Sequence, residues 1–108
     1  MGLLFYQDFN GNYPVEAWLD TLDIKTQARI RKRLVRVEDG CLGDCESVGD
    51  GVFELRFFFG PGYRIYFGKE GNTLVILLCA GDKDSQSRDI KKAKLYWEDY
   101  KEMTYEKA

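Results

Sequence analysis

Three runs of apolar and aromatic residues occupy the second half of the chain, and short glycine-containing segments separate them. The runs are Val52–Phe59, Tyr63–Gly68 and Thr73–Cys79, with Gly-Pro-Gly after the first and Glu-Gly-Asn after the second. Aromatic and β-branched residues favour strands, whereas Gly, Pro and Asn favour turns. The pattern therefore predicts a three-stranded antiparallel meander at the centre of the fold.

The first two runs alternate apolar and polar positions, which indicates how their strands pair. Side chains alternate between the two faces of a strand, so a shift by one residue would mix the faces. A three-residue Gly-Pro-Gly loop keeps the faces separate and places Phe57 opposite Ile65 and Arg56 opposite Tyr66. Arg56 and Arg64 then become diagonal neighbours on the polar face, about 7–8 Å apart, with Tyr66 beside them.

The polar face of this meander has the chemistry of an anion site. Two guanidinium groups and a phenol suit an anion or a ribose phosphate, and solvated strand arginines with buried stems are the alternative. The third run should extend the apolar face, with Ile76 opposite Ile65. Lys83 follows that run close to the edge of the sheet, and this further cation favours the anion site.

The remaining segments predict one further strand and three helices. The expected elements are a strand Leu3–Phe9, a helix opening at Pro14, a helix from Ile24 to about Glu38, the meander, and a last helix beginning near Asp84-Ser85. Asp23 is a suitable N-cap for the second helix, and Pro is tolerated at the first position of the first helix. The order β-α-α-β-β-β-α predicts a single α+β domain over residues 1–108.

Residues 39–51 (DGCLGDCESVGDG) contain four glycines and predict a flexible acidic loop. The loop contains Cys41 and Cys45, but no second cysteine pair and no histidine completes a metal site. Cys79 ends an apolar strand and is expected to be a small buried hydrophobic residue. Trp18 lies in the apolar stripe of the first helix and is expected in the core.

Length and composition limit the class of protein. A chain of 108 residues with 44% hydrophobic residues suits one compact domain. No segment approaches the roughly 18 apolar residues of a membrane span, so no membrane association is expected. Three cysteines without an export signal favour a reducing, cytoplasmic environment.

The charge is slightly acidic overall but unevenly distributed. The net charge is −2 and histidine is absent, so neither a histidine base nor a histidine-containing zinc site is expected. Residues Asp23–Val37 nevertheless contain six Lys or Arg against one Asp, and Asp82–Lys94 contain five against three. The basic helix, with Lys32 and Arg33, is either an ordinary solvated face or a surface for phosphates or an acidic partner.

The segments PVEAWLDTL, KTQARIRKRL, DGVFELRFFFGPGYRIYF and LVILLCAGDKDSQSRDIKKAKLYW resemble the RelE/ParE toxin superfamily, and most closely its HigB-like "addiction module killer" branch. The resemblance covers essentially the whole chain. It implies a RelE-like fold with two N-terminal helices on one face of the sheet and a C-terminal helix. It also implies a ribosome-dependent, metal-independent endoribonuclease that cuts mRNA without a cofactor. The expected partners are the ribosome, mRNA and a cognate antitoxin of the helix-turn-helix type.

The resemblance assigns roles to individual residues. Arg64 matches the strand arginine that holds the scissile phosphate, and Arg56 matches a basic strand residue that serves the cleft. Lys83 matches a basic residue that stabilises the phosphate or the leaving group. Tyr66 is a candidate RNA contact and a candidate for the aromatic acid–base residue, and Arg88 is a candidate phosphate contact.

Two departures from the family pattern leave alternatives open. Glu54 stands where RelE has a lysine, and no Tyr or His matches the C-terminal aromatic residue of RelE. A gyrase poison of the ParE type is one alternative to the nuclease. A catalytically inactive module that binds an antitoxin is the other.

Overall fold

The computed structural model describes residues 1–106, which form three helices and one five-stranded sheet. The elements are β1 (Gly2–Phe5), α1 (Pro14–Leu19), α2 (Ile24–Glu38), β2 (Cys45–Gly49), β3 (Val52–Arg56), β4 (Arg64–Glu70), β5 (Leu74–Gly81) and α3 (Gln86–Glu106). The strand order is β1-β5-β4-β3-β2; β1 runs parallel to β5 and the other pairs are antiparallel. The predicted α+β class is confirmed, but the sheet is mixed rather than a simple antiparallel meander.

The predicted element order lacks one strand, because part of the expected acidic loop is β2. Cys45–Gly49 pairs with β3, and the two strands join at Asp50-Gly51. Both turn residues have positive φ, 56° for Asp50 and 82° for Gly51. Asp-Gly is a preferred two-residue hairpin turn for this reason. The prediction of a flexible loop over residues 39–51 was therefore wrong at its second half.

The predicted faces of β3 and β4 are correct, but the predicted register is shifted by two residues. Leu55 pairs with Ile65, and Arg56 lies directly opposite Arg64. The connection is longer than Gly-Pro-Gly, because β3 ends at Arg56 and β4 begins at Arg64. A shift by two preserves the alternation of faces. Arg56 and Arg64 are consequently direct neighbours rather than diagonal ones.

The predicted pairing of β5 was wrong in register. It was also wrong about which residues of β4 and β5 share a face of the sheet. Phe67 pairs with Leu77, and the ladder shifts between Tyr66 and Phe67. Ile76 therefore packs with Tyr66 on one side of the sheet, and Ile65 packs on the other. Residues on β5 are apolar on both faces because both faces of the sheet are covered.

The second helix has the predicted bounds. Asp23 caps it, since its carboxylate accepts a hydrogen bond from the backbone N–H of Thr26 at 3.2 Å. Ile30, Leu34 and Val37 are buried along its inner side. The regular spacing of these apolar residues explains why the sequence alone located this element.

Two hydrophobic cores lie on the two faces of the sheet. The first contains Val15, Leu19, Ile30, Leu34, Val37, Leu55, Phe57, Ile65, Phe67, Val75 and Leu77. The second contains Tyr6, Val52, Tyr66, Ile76, Leu78, Cys79, Ala93 and Trp97. As expected, α1 and α2 pack on one face; α3 covers the other. Trp18 packs against the first core, and Cys79 is buried in the second, also as expected.

Close packing between Gly68 and Trp97 positions α3. A Cβ atom added to Gly68 would collide with Cε3 of Trp97, so only glycine leaves room for the indole ring. The ring also stacks on Tyr100 at 5.6 Å between centroids. This contact fixes the helix across the sheet and sets its N-terminus beside the end of β5.

No helix within residues 1–106 is long and apolar enough to cross a membrane.

Candidate phosphate site

Three strands end or begin side by side at one end of the sheet. Arg56 of β3 pairs with Arg64 of β4, and Arg64 pairs with Gly81 of β5; we call these positions the strand-end row. Lys83 follows two residues later. A Cβ atom added to Gly62 would lie 3.3 Å from Nη1 of Arg64 and 3.5 Å from the Cβ of Lys83. The structure therefore brings Arg64 and Lys83 to the same loop.

Arg64 is held by a buried carboxylate. Its Nε lies 3.4 Å from Oε1 of Glu54, and its side chain is 15% exposed against 4% for Glu54. Nη1 donates to the carbonyl oxygen of Gly62 at 2.8 Å. The side-chain amide of Gln86, at the start of α3, donates to the other oxygen of Glu54 at 2.8 Å. Within residues 1–104, no hydrogen bond uses Nη2 of Arg64, which leaves one edge of the guanidinium for a ligand.

Arg56 contacts two acidic residues, Glu46 of the neighbouring strand β2 and Asp44, which directly precedes that strand. Nε and Nη2 donate to the two oxygens of Asp44 at 3.1 and 3.0 Å, and Nη1 lies 2.9 Å from Oε2 of Glu46. The guanidinium lowers the pKa of the Asp44 carboxyl. The side chain leans towards β2, away from β4, although the backbone of Arg56 adjoins that of Arg64. Arg56 therefore ties β3 to the segment around β2.

Tyr66 lies on the same face as Arg64 but inside the protein. It is fully buried in the second core. Burial and the nearby carboxylate of Glu54 raise the pKa of its hydroxyl far above the ordinary value for tyrosine. The predicted roles of Tyr66, as an RNA contact or an acid–base group, conflict with this position.

The two predicted RNA contacts on α2 are not part of the strand-end row. Arg33 donates to the carbonyl oxygens of Arg56 and Asp44, the latter at 2.9 Å, and its guanidinium stacks 4.7 Å from the ring centroid of Phe57. Burial lowers its pKa. Lys32 is exposed, but α2 covers the face of the sheet opposite the Arg64 side chain. Arg33 is thus an internal anchor, and Lys32 lies on a separate surface.

Arg88 borders a polar pocket beside the row. The pocket, of about 520 Å³, is lined by Trp18, Ala80, Gly81, Asp82, Asp84, Ser85, Arg88 and Asp89. Asp89 is buried and accepts a hydrogen bond from Ser85. A Cβ atom added to Gly81 would collide with the Asp89 carboxylate, so glycine is needed where β5 meets α3. Arg88 and Lys83 are both exposed at this junction.

Sequence reasoning missed the carboxylates that surround the arginines. Strand alternation placed Glu54 on the face of Arg56 and Arg64, so its proximity could have been anticipated. Asp44 and Glu46 were assigned to a loop, so their proximity to Arg56 could not be anticipated. Gln86 is 32 residues from Glu54 in the chain, and no local pattern indicated their hydrogen bond.

The arrangement can bind an anion, because some of its cations are free to contact a ligand while Arg56 is already paired with carboxylates. Arg64 offers Nη2, and Lys83 and Arg88 are exposed, whereas the nitrogens of Arg56 already contact carboxylates. Guanidinium groups make charge-assisted hydrogen bonds to phosphate. Within residues 1–104, no three His, Cys, Asp or Glu side chains come together as a metal-binding group.

Comparison with known proteins identifies related sequences. The profile of the family described as "Phage derived protein Gp49-like (DUF891)" matches residues 17–100, from α1 to α3. A relative described as "Uncharacterized protein" in Haemophilus influenzae (strain Rd) is 48% identical over 81 residues. That match covers 74% of this chain and 82% of the relative. The family match includes the whole strand-end row.

Proposed function

We propose that this chain, which belongs to the phage-derived Gp49-like family, is the toxin of a type II toxin–antitoxin system and cleaves mRNA on the ribosome. The family is toxin-like and related in a broad sense to RelE, and the HigB-like assignment is part of this proposal. The observation that carries it is the position of Arg64 and Lys83 beside the same glycine, Gly62, with Nη2 of Arg64 unused among residues 1–104.

Cleavage of RNA without a metal suits this set of side chains. The 2′-hydroxyl of one ribose loses its proton to water as its oxygen attacks the adjacent phosphorus. The bond from phosphorus to the 5′-oxygen of the next nucleotide breaks, and a 2′,3′-cyclic phosphate and a 5′-hydroxyl result. Arg64 contacts a non-bridging oxygen through Nη2 and stabilises the additional charge of the transition state. Lys83 stabilises the leaving 5′-oxygen and donates a proton to it.

Preorganisation supports the role of Arg64. Glu54, which accepts a hydrogen bond from Gln86, contacts the guanidinium from its inner side, so little reorganisation is needed when a phosphate arrives. The ribosome supplies the alignment of the 2′-oxygen with the leaving oxygen, and alignment alone accounts for several kcal/mol of a barrier, up to about 7–11. Because the ribosome supplies this alignment, a small cationic site is sufficient for cleavage.

A second candidate function is an inactive module that binds an antitoxin. It is favoured by the carboxylates that already contact both arginines of the strand-end row. Asp44 and Glu46 contact Arg56, and Glu54 contacts Arg64. In this alternative the arginines stabilise the fold, and the chain has lost the ability to bind a phosphate.

Controlled expression in a bacterial host separates these functions. We expect growth arrest and new 5′-ends in translated mRNA that keep a fixed phase with codons. Intact mRNA with DNA damage would instead indicate a gyrase poison, and the absence of any growth effect would indicate the inactive module. Co-expression of a helix-turn-helix protein encoded next to this gene should restore growth, because such a protein is the proposed antitoxin.

A further inference from the structure

The first half of α3 presents a basic surface that the proposed reaction does not use. Ser87, Arg88, Lys91, Lys92 and Leu95 line a shallow depression there; we call it the α3 basic face. The residues follow i, i+1, i+4, i+5 and i+8 spacing, which places them on one side of a helix. Leu95 is 71% exposed, so the face also offers apolar surface.

Intramolecular ion pairs do not account for these cations. Within residues 1–104, Arg88, Lys91 and Lys92 form no salt bridge. Other lysines of the same helix do: Nζ of Lys94 lies 3.4 Å from Asp50, and Nζ of Lys101 lies 2.9 Å from Glu98. Among the cations of α3 within residues 1–104, those without a salt bridge therefore all lie on the α3 basic face.

The placement of the charges disfavours the isolated helix. Arg88 lies in the first turn of α3, where the helix dipole favours anions over cations. Arg88 and Lys92 are four residues apart, and like charges at this spacing destabilise a helix by a few tenths of a kcal/mol. The cations of this cluster repel one another, although Lys92 also lies 5.9 Å from the ring centroid of Tyr96. An external anion would relieve this repulsion.

The face is continuous with the strand-end row through Arg88. Arg88 borders both the basic face and the polar pocket that contains Gly81, and Gly81 pairs with Arg64. An elongated polyanion bound at Arg64 therefore meets the α3 basic face where it leaves the site. An acidic protein could satisfy the same charges, but continuity with the phosphate site favours a nucleic acid.

We infer that the α3 basic face binds the phosphate backbone of the RNA on one side of the cleavage site. This inference rests on the proposed function and adds to it a second RNA contact, distinct from Arg64 and Lys83 at the reacting phosphate. Arg88, Lys91 and Lys92 make the contacts, one phosphate each, without reading the base sequence.

Direct binding tests the inference independently of cleavage. The probe is a fluorescein-labelled 12-nucleotide single strand of 2′-O-methyl RNA, which cannot be cut because its 2′-oxygens are blocked. Fluorescence anisotropy is measured over a salt series for the wild type, the triple variant Arg88→Gln/Lys91→Gln/Lys92→Gln, and the control Lys94→Gln/Lys101→Gln. The control removes two lysines of the same helix that lie off the face. Circular dichroism verifies that each protein is folded.

Loss of three phosphate contacts has a defined signature. The slope of log K against log salt is about −0.7 per phosphate for single strands, so the triple variant should lose about 2 from the magnitude of the slope. We expect its affinity at low salt to fall at least about tenfold, with little change in the control. Wild-type affinity and slope in the triple variant would overturn the inference, and so would absence of RNA binding by the wild type at low salt.

A labelled polyglutamate peptide distinguishes the other polyanion. If the triple substitution abolishes binding of polyglutamate but leaves RNA binding unchanged, the face is a surface for an acidic protein and the inference is wrong. The outcomes also separate the two proposals. RNA binding that depends on the face without mRNA cleavage in cells contradicts the proposed function alone, and cleavage without dependence on the face contradicts this inference alone.

Discussion

The guanidinium of Arg64 and the carboxylate of Glu54 form an ion pair beneath the end of the sheet, with Nε 3.4 Å from Oε1. Gln86 ties the same carboxylate to the first turn of α3. Through Glu54, Arg64 thus links β4 to β3 and to the helix that covers them, while its Nη2 remains available for a ligand. The pair gives Arg64 a fixed orientation, but it also offsets the charge that a phosphate would meet.

The substitution Glu54→Gln separates these two effects. We expect tighter binding of RNA, because the charge of Arg64 is no longer neutralised. We also expect a loss of about 3–5 kcal/mol in the free energy of unfolding, because the largely buried Arg64 loses the negative charge of its ion-pair partner. The amide oxygen that the substitution introduces can still accept from Gln86, which keeps α3 in place. Urea denaturation and anisotropy with the non-cleavable RNA measure the two quantities; unchanged or weaker RNA binding in a folded variant would contradict the expected electrostatic role.

Replacement of Arg56 by Ala should act on stability rather than on cleavage. Its nitrogens contact Asp44 and Glu46, so the variant loses the link between β3 and the β2 segment. We expect a lower urea midpoint and retained mRNA cleavage at a temperature where the variant is folded. Asp44→Asn is the matched control, since it weakens the same link and should lower the midpoint in the same direction. A folded Arg56→Ala protein that has lost cleavage would assign Arg56 to the phosphate site instead.

Replacement of Gly68 by Ala tests the packing of α3. The added methyl group would collide with Cε3 of Trp97, so the indole must move. Overpacking of this kind costs about 1–3 kcal/mol, and the thermal midpoint should fall accordingly. Gly71→Asn is the control, because Gly71 has φ +55° and nothing within 4 Å, and Asn tolerates that conformation. Equal midpoints for the two variants would show that Trp97 does not pack as described.

Buried acidic groups predict a loss of stability in alkali. Burial raises the pKa of the Cys79 thiol to about 12 from its ordinary value of 9.0. Below pH 9 the thiol is protonated in both states; between pH 9 and 12 only the unfolded chain releases the proton. The free energy of unfolding should therefore fall with pH over this window, by about 1.4 kcal/mol per pH unit for this group. Cys79→Ala should reduce that slope by about one proton, and an identical slope in the variant would exclude the thiol as its source.

The sequence predicted elements well where local patterns determine them. Helix α2 was located from Asp23 and the spacing of Ile30, Leu34 and Val37. The faces of β3 and β4 followed from alternation, as the pairing of Leu55 with Ile65 shows. Long-range register was not predictable in the same way, because it depends on the length of the connection after β3.

Strand β5 shows why the sequence did not predict which side chains face which side of the sheet. Residues 74–79 are all apolar, since both faces of this strand are buried, and no alternation marks which side chain faces which core. The shift in the ladder beside Tyr66 then reverses the assignment of Ile76. The burial of Tyr66 was missed for a different reason: its face of the sheet was expected to be polar and exposed, but α3 packs against it.

The sequence indicated that Arg64 and Lys83 lie near each other, but not which carboxylates contact Arg56 and Arg64. Arg64 and Lys83 converge on one loop, as their positions at strand ends suggested. Asp44 was missed because β2 has a weak strand pattern, and its pairing depends on the Asp50-Gly51 turn. Interactions between distant segments determine how much of each cation's charge remains available.

Mapping of mRNA 5′-ends in cells that express Arg64 variants tests the central claim most directly. Arg64→Ala removes the guanidinium, whereas Arg64→Lys retains a charge without the planar arrangement of donors. With protein levels matched, we predict codon-phased cuts for the wild type, none for Arg64→Ala, and a reduced level for Arg64→Lys. The same cuts at wild-type frequency in folded Arg64→Ala protein would contradict the assignment of Arg64 to the scissile phosphate.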